Sequence, residues 1–382
     1  MKEYLENNCY LILHEVESSK QILQRQEVCE ELVPLKEWLT KYLQELEDEL
    51  NHNLYLLDLN DEDTFRNIFK QVQIITRALV FCNIRLMPSI HRYKPTDNVC
   101  LKLLSWLHKQ HPIMAGLPLG IFDGQFMIAA SNDYPTVYYL PNSSQHILLH
   151  LPLFFHEIGH KFFAHHRPEM MDLVKEFQIN LLRFFKSANQ KNDKRSAIQA
   201  KKTKIIVVDT WTNWIEELFC DAVGIRIGGA SYIHAFSYYL RMSGRAAFFR
   251  TEKDLGKSSH PVSWLRVKFL IKWAEQYGLE KEALSLSEEW EALAKIQGIK
   301  EQYFGFYKDV FYDDVKQCLD DMLVVSEPIF FKDYDNRPEE FDKSKTNFIE
   351  LTNLAWRKFY NDLKGYEVWE KNIIESINQP VV

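Results

Sequence analysis

Two histidines and a glutamate stand close together in the segment His156-Glu157-Ile158-Gly159-His160. Residues four positions apart on an α-helix lie about 40° from each other, so both imidazoles can face one ion. Neutral histidine nitrogens suit Zn²⁺, and a carboxylate beside an open coordination position can take a proton from a water held there. The spacing therefore predicts a zinc site made by His156 and His160, with Glu157 as the general base.

The same pattern also fits two surface histidines on a helix with a neighbouring acid. The residues around the motif favour the metal site, because they would bury most of the helix, and buried histidines and acids need polar partners. The apolar residues in question are Leu151, Leu153, Phe154, Phe155, Ile158, Phe162 and Phe163.

Glu217 is one candidate for a third metal ligand. It lies in a second apolar helical stretch and shares a helix face with Asp221, four residues later. Such a pair would give one carboxylate to the metal and the other to the free N–H of a ligand histidine. Glu216 lies on a different face from Asp221, so it does not form this pair. Glu216 could instead hold the other histidine.

His166 is the other candidate, because HExxH extended to His166 matches HExxHxxGxxH at every position except the glycine, which is Phe163 here. Glycine allows the sharp turn that brings the third histidine back to the metal, and a bulky aromatic residue is poorly suited to that turn. We therefore favour Glu217, and we interpret His165 and His166 as the polar end of the motif helix.

A further motif lies downstream, at Ser258-Ser259-His260-Pro261, with Arg266 six residues after the histidine. The order HExxH, ExxxD and Ser-x-His-Pro with this arginine resembles the gluzincin metallopeptidases. The likeness is greatest to the branch that contains the CAAX prenyl endopeptidases and the heat-shock membrane proteases. It covers roughly residues 147–270 and is specific at those short motifs.

This resemblance implies a role for each matching position. The two motif histidines and Glu217 would bind zinc, and the motif glutamate would be the general base. Asp221 would support a ligand histidine, and His260 would stabilise the oxyanion of the tetrahedral intermediate.

The chain departs from that branch in two respects. The branch is usually embedded in membranes, whereas the most apolar window of this sequence is well short of the ~20 residues that a spanning helix needs. A prenylated or membrane-protein substrate therefore does not carry over. The second proline of the family's usual His-Pro-Pro is Val262 here, which weakens the assignment of His260.

The downstream motif also has the composition of a helix start. Ser258 or Ser259 would be the N-cap, and Pro261 would lie in the first turn. Both interpretations can hold together, because such a cap would point His260 in a fixed direction. We interpret Arg266 as structural, pairing with a carboxylate near the site.

The spacing of apolar residues indicates the elements that must position these groups. Over about residues 11–107 they recur every three or four positions, which is typical of amphipathic helices. Glycines and prolines around residues 116–141 separate short apolar runs, which predict one or two strands. The strand near residues 135–140 could present an edge to an extended peptide. Helical spacing resumes at Ile147.

The predicted fold is therefore mainly α with a small β element. We expect a helical N-terminal region over residues 1–110, a zincin-like metallopeptidase core over residues 111–280 and a helical C-terminal region over residues 281–382.

Composition excludes several classes of protein. Of 382 residues, 46% are hydrophobic and 26% charged, which is ordinary for a folded globular chain. The six cysteines form no CxxC pair and no dense framework, so neither a cysteine zinc site nor a disulfide scaffold is indicated. The amino terminus lacks the basic start and apolar run of a signal peptide. We expect a cytoplasmic protein without integral membrane association.

A basic run at residues 186–204 stands out against the net charge of −7. It lacks the interleaved aromatic residues of a nucleic-acid contact, so we interpret it as a solvated loop or frayed helix and expect no nucleic-acid partner.

The sequence thus predicts a zinc-dependent peptidase that hydrolyses a protein or peptide substrate through a metal-held water activated by Glu157. The alternative is a zincin-like binding or regulatory protein with a structural metal site. A closed set of four protein ligands would favour that alternative.

Overall fold

The computed structural model describes residues 1–59, 62–93, 98–114, 119–123, 127–129, 135–141, 147–187, 194–242, 247–299, 311–334 and 336–379. These residues are mainly helical, as predicted. Contacts divide the chain into two compact units. One consists of Met1–His146 with Ile374–Val382, and the other of Ile147–Ile373.

The first unit begins with a series of helices, which confirms the helical N-terminal region. They are α1 (Lys2–Arg25), α2 (Val33–Asp58), α3 (Glu62–Phe81), α4 (Met87–His91) and α5 (Asn98–Gln110), with a π-helical turn at Cys82–Leu86 between α3 and α4. The reason is visible in α2, where leucines at three- and four-residue spacing lie on one buried face. These are Leu35, Leu39, Leu43, Leu46 and Leu50.

A three-stranded sheet follows, with β1 (Leu119–Asp123), β2 (Met127–Ala129) and β3 (Thr136–Leu140) in the order β1-β3-β2. β1 is parallel to β3, and β2 is antiparallel to it. The prediction of one or two strands was therefore wrong, because the sheet has three. β1 was missed because Gly120 was interpreted as a turn, whereas a Cβ there would lie 2.8 Å from Ser89 Oγ. The glycine thus allows a close approach.

The suggestion that the strand near residues 135–140 presents a free edge was also wrong. β3 is the central strand, and it pairs with β1 along Thr136–Leu140 and with β2 along Val137–Tyr139. Both of its edges are used within the sheet, so no extended peptide can be added to it there.

The second unit is helical throughout its described elements. It begins with a 3-10 helix, Leu148–Leu153, and continues with α6 (Phe154–His165), α7 (Arg167–Ser187), α8 (Lys194–Gly228), α9 (Ala230–Arg241), α10 (Glu252–Leu255), α11 (Ser263–Gln276), α12 (Glu280–Ile296), α13 (Tyr312–Ser326), α14 (Phe348–Asn361) and α15 (Tyr366–Asn378). The last residues of α15 belong to the first unit.

Helices α6 and α8 approach each other closely at Gly159. A Cβ added at this position would lie 2.7 Å from the Cα of Cys220, so a larger residue would push the two helices apart. This crossing brings the HExxH residues of α6 against the ExxxD residues of α8.

The division into units differs from the three regions expected from the sequence. Residues 111–146 lie in the first unit, and residues 281–373 lie in the second together with both motif helices. The packing of α12 shows one reason. Its Trp290 is fully buried, donates its indole N–H to Ser237 Oγ of α9 at 2.9 Å and packs against Phe248.

Part of the basic run belongs to regular structure. Residues 186 and 187 end α7, and residues 194–204 form the backbone of the first turns of α8, whereas residues 188–193 lie outside the described part of the chain. In the ranges described above, no helix has both the length and the apolar character required to cross a membrane.

Candidate metal centre

The two motif histidines lie side by side on α6. Their ring centroids are 5.2 Å apart, and the ring planes are nearly perpendicular. The side chain of His156 is buried, and that of His160 is 22% exposed. Helical spacing accounts for this arrangement, because it places both residues on the face of α6 that packs against α8.

Glu217 of α8 points its carboxylate at both imidazoles. Its Oε2 lies 3.5 Å from His156 Nε2, and its Oε1 lies 3.7 Å from His160 Nε2. Ligand atoms on a tetrahedral zinc at 2.0–2.1 Å are about 3.4 Å from one another. Each ring nitrogen is therefore separated from a carboxylate oxygen by close to the distance between two ligands of one ion.

Carboxylates hold both histidines from the opposite side of the ring. Asp221 Oδ1 lies 3.0 Å from His156 Nδ1, and Glu216 Oε1 lies 3.0 Å from His160 Nδ1. Because an ionised carboxylate can only accept, each Nδ1 carries a hydrogen, and in the neutral form of each ring Nε2 has a free lone pair. This is the tautomer that a metal requires, and the acids orient both rings for it.

Arg266 of α11 fixes Asp221 in turn. Its Nε donates to Asp221 Oδ2 at 2.7 Å and its Nη2 to Asp221 Oδ1 at 2.6 Å. Tyr232 donates its hydroxyl to the same Oδ1 at 3.2 Å. Burial raises the pKa of Asp221, but the charge and hydrogen bonds of Arg266 lower it by more, so the carboxyl stays ionised. The structural pairing predicted for Arg266 is confirmed.

The site favours a positive charge at its centre. Burial lowers the pKa of His156, but the hydrogen bond to Asp221 and the negative charges of Asp221 and Glu217 raise it to about 9. Burial raises the pKa of Glu217, and His156, Arg266 and His160 lower it well below its usual range. The negative field that favours a proton on His156 also favours a cation beside its Nε2.

The environment of one carboxylate oxygen of Glu217 indicates whether a metal fits the site. Its Oε2 is buried and has no hydrogen-bond partner among the described residues, and Arg266 Nη2 lies 3.4 Å away, at ion-pair distance. A buried carboxylate oxygen without a hydrogen bond is costly unless something else compensates it. Two imidazole nitrogens and a carboxylate oxygen are a zinc donor set, so the residues present fit Zn²⁺.

Cys220 is a competing donor that the sequence did not suggest. One atom each of His156, His160 and Cys220 lie within 4.8 Å of one another. The thiol is fully buried, and burial raises its pKa well above the usual value, which disfavours the thiolate that binds zinc. Glu217 is already ionised and faces both Nε2 atoms, at 3.5 and 3.7 Å, so we prefer it as the third donor.

Glu157 stands next to the two motif histidines on α6. Its side chain is only 7% exposed, and within the described part of the chain no hydrogen bond or ion pair engages its carboxylate. Tyr239 of α9 is an unexpected neighbour: burial raises its pKa, and the negative charge of Glu157 raises it further. Glu157 is thus positioned as a buried acceptor beside the candidate metal ligands.

His260 also reaches the site. Its Nε2 lies 3.2 Å from Glu217 Oε1, and its Nδ1 lies 2.9 Å from the hydroxyl of Ser259. Its side chain is 53% exposed, compared with 9% for His156 and Glu217 and 22% for His160. The imidazole can therefore contact both solvent and the centre of the site.

The predicted helix start at this motif was wrong. α11 begins at Ser263 with Val262 as its N-cap, so neither serine caps it and Pro261 precedes the first turn. Ser258 instead donates its hydroxyl to the carbonyl of His260 at 2.7 Å and accepts the N–H of His260 at 3.2 Å. These local bonds hold the segment before α11 and orient His260 without a capping role.

His166 ends α6 and does not enter the donor set described above. α6 stops at His165, His166 is its C-cap, and α7 begins at the next residue. The ring of His166 lies against that of His165, with centroids 4.9 Å apart. The chain continues directly into α7 and makes no turn that would bring His166 back to the motif.

The structure therefore brings together the ligand candidates of α6 and α8, the carboxylates behind them and His260. Comparison of the chain with models of known protein families, with curated proteins and with solved structures gave no match.

Proposed function

We propose that the chain is a zinc-dependent peptidase with a zincin-like core formed by α6, α8 and α11. The observation that carries this proposal is the carboxylate of Glu217. It is buried and ionised, has one oxygen without a hydrogen bond, and lies 3.5 and 3.7 Å from the Nε2 atoms of His156 and His160. Glu157, on the same helix as both histidines, supports hydrolysis, because a purely structural zinc needs no adjacent acid.

Zinc held by His156, His160 and Glu217 would supply a Lewis acid, which acidifies water and polarises a carbonyl group. Glu157 accepts the proton of the attacking water and passes it to the leaving amine. Asp221 and Glu216 keep the imidazoles in the tautomer with a free Nε2.

His260 is proposed to donate a hydrogen bond to the oxygen of the carbonyl under attack. Its exposed ring, anchored by Ser259, supports this assignment. Removing such a donor in other hydrolases costs roughly 2.7–4 kcal/mol of transition-state stabilisation.

A peptide as the substrate class follows from the resemblance of the three motifs to the gluzincin peptidases. We propose protein or peptide substrates in the cytoplasm as the setting of the reaction.

One observation favours a second candidate, a binding or regulatory protein with a structural zinc. His260 Nε2 lies 3.2 Å from Glu217 Oε1, so a third ring nitrogen faces the carboxylate that contacts the other two. A fourth protein ligand would close the site and leave no position for water.

Zinc content and cleavage of a quenched peptide library by the purified chain test the two candidates together. We expect one zinc per chain in the wild type and in Glu157→Gln, cleavage by the wild type, and a loss of about 10²–10⁴-fold in the variant. His156→Ala should lose both zinc and cleavage. Bound zinc without any Glu157-dependent cleavage would support the structural site, and a chain that binds no zinc would overturn both candidates.

A further inference from the structure

An open pocket lies in the segment between α9 and α11. Its volume is about 500 Å³, and it is lined by Phe249, Arg250, Thr251, Asp254, Lys257 and Ser258. These residues have no part in the donor set of the metal centre.

A short chain of contacts connects the pocket to the metal centre. Arg250 Nη1 donates to Ser258 Oγ at 2.6 Å and lies 3.4 Å from the carbonyl oxygen of His260. The ring of His260 reaches Glu217 through Nε2 at 3.2 Å. His260 therefore lies between the two places, with its backbone toward Arg250 and its imidazole toward the ligands.

The wall of the pocket is also attached to the helix that carries Glu217. The carbonyl of Ser258 accepts the indole N–H of Trp214 at 3.0 Å, and Trp214 is fully buried in α8. Ser258 thus fixes the pocket relative to α8, because its hydroxyl accepts from Arg250 and its carbonyl accepts from Trp214.

The pocket carries two cations and one anion. The Oδ2 of Asp254 accepts the hydroxyl of Thr251 at 2.6 Å, and its negative charge also attracts the guanidinium of Arg250 without forming an ion pair. Arg250 is half-buried, and its two hydrogen bonds go to neutral oxygens, with no ion pair to any residue in the described ranges. A guanidinium with neutral partners retains N–H donors in the fork that matches a carboxylate.

We propose that this pocket binds a carboxylate of the peptide substrate close to the scissile bond. The inference rests on the proposed peptidase function and adds a preference of substrate to it. An extended peptide advances about 3.3 Å per residue, so a pocket separated from the ligands by one histidine is reached within two or three residues. The carboxylate belongs either to an acidic side chain or to the C-terminus of the peptide.

Matched fluorogenic peptides that carry Glu, Gln or Lys at each of the three positions on either side of the cleaved bond test the charge preference. At the position that reaches the pocket, the wild type should cleave the Glu peptide with a kcat/KM roughly tenfold above that of the Gln peptide. Arg250→Gln and Lys257→Gln, at an exposed position, should each lower this ratio. For the wild type, the Lys peptide should have the lowest kcat/KM of the three.

Lys272→Gln is the matched control, because it removes the same charge from the surface of α11, outside the pocket lining. An equal fall in the Glu to Gln ratio in this control would overturn the proposal. An unchanged ratio in both pocket variants would also overturn it if amidation of the C-terminus has no effect that depends on Arg250.

The same peptides with a free or an amidated C-terminus identify the source of the carboxylate. A Glu preference that persists in amidated peptides indicates the side chain. A loss of kcat/KM on amidation of the Gln peptide, absent in Arg250→Gln, indicates the α-carboxylate. If neither the Glu to Gln exchange nor amidation of the C-terminus changes kcat/KM for the wild type, the pocket does not bind carboxylates.

Binding to the Glu157→Gln variant separates this proposal from the peptidase proposal. Fluorescence anisotropy with labelled Glu and Gln peptides reads the pocket without turnover. Cleavage by the wild type with neither a Glu preference nor an effect of amidation would overturn the pocket alone. Tighter binding of the Glu peptide that depends on Arg250, in a chain without cleavage, would support the pocket and overturn the peptidase.

Discussion

Arg266 holds Asp221 through two hydrogen bonds of 2.7 and 2.6 Å, and the aspartate is fully buried. The guanidinium lies over the ring of Phe236, 4.6 Å from its centre. Asp221 in turn orients His156. A salt bridge from α11 to α8 therefore determines the direction of a candidate metal ligand on α6.

Arg266→Met should destabilise the protein by about 3–5 kcal/mol, because it leaves the buried charge of Asp221 without its partner. Urea unfolding of the wild type and the variant measures this loss. Lys272→Met, at an exposed position, is the control and should change stability by less than about 0.5 kcal/mol. A loss of the same small size in Arg266→Met would show that the pair contributes little.

Asp221→Asn should weaken zinc binding about 10- to 100-fold while keeping the shape of the side chain. The amide lacks the negative charge that fixes the hydrogen on His156 Nδ1. Competition with a chromogenic chelator measures the affinity. Glu216→Gln is the companion variant, since it makes the same change behind His160. Wild-type affinity in both variants would contradict the orienting role of the two acids.

His260→Ala distinguishes an oxyanion donor from a fourth metal ligand. As a donor, it should lower kcat by about 10²–10³-fold and leave zinc stoichiometry and affinity unchanged. Metal analysis and steady-state kinetics on one preparation give both values. A loss of zinc binding comparable to that of His156→Ala would instead place His260 among the ligands.

Acid should destabilise the second unit through His234. Burial and the charge of Arg241 lower the pKa of His234 to about 4, so the unfolded chain, with a pKa near 6.5, binds more protons in the interval between these values. This contribution to stability is complete above about pH 6.5 and is lost as the pH falls toward 4. From pH 7.5 to 5.0 we expect a loss of up to about 2 kcal/mol.

Urea unfolding at the two pH values, with a chelator present, isolates this effect from zinc loss. The free energy of unfolding of His234→Gln should differ less between pH 7.5 and 5.0 than that of the wild type. Equal differences in the two proteins would mean that His234 titrates normally in the folded state.

Relationships within one helix could be predicted from the sequence. The period of 3.6 residues placed His156 beside His160 and Glu217 on one face with Asp221, because such spacing depends only on local geometry. The helical first hundred residues followed from the same period. The arginine expected to pair with a carboxylate does so with Asp221.

Relationships between elements required the tertiary structure. The close crossing of α6 and α8 at Gly159 decides that Glu217 faces both imidazoles, and it also brings Cys220 close to them. The central position of β3 and the grouping of α12 with the motif helices were not apparent from spacing. Side-chain periodicity is encoded within a few residues, whereas strand order and helix crossings depend on packing between segments far apart in the chain.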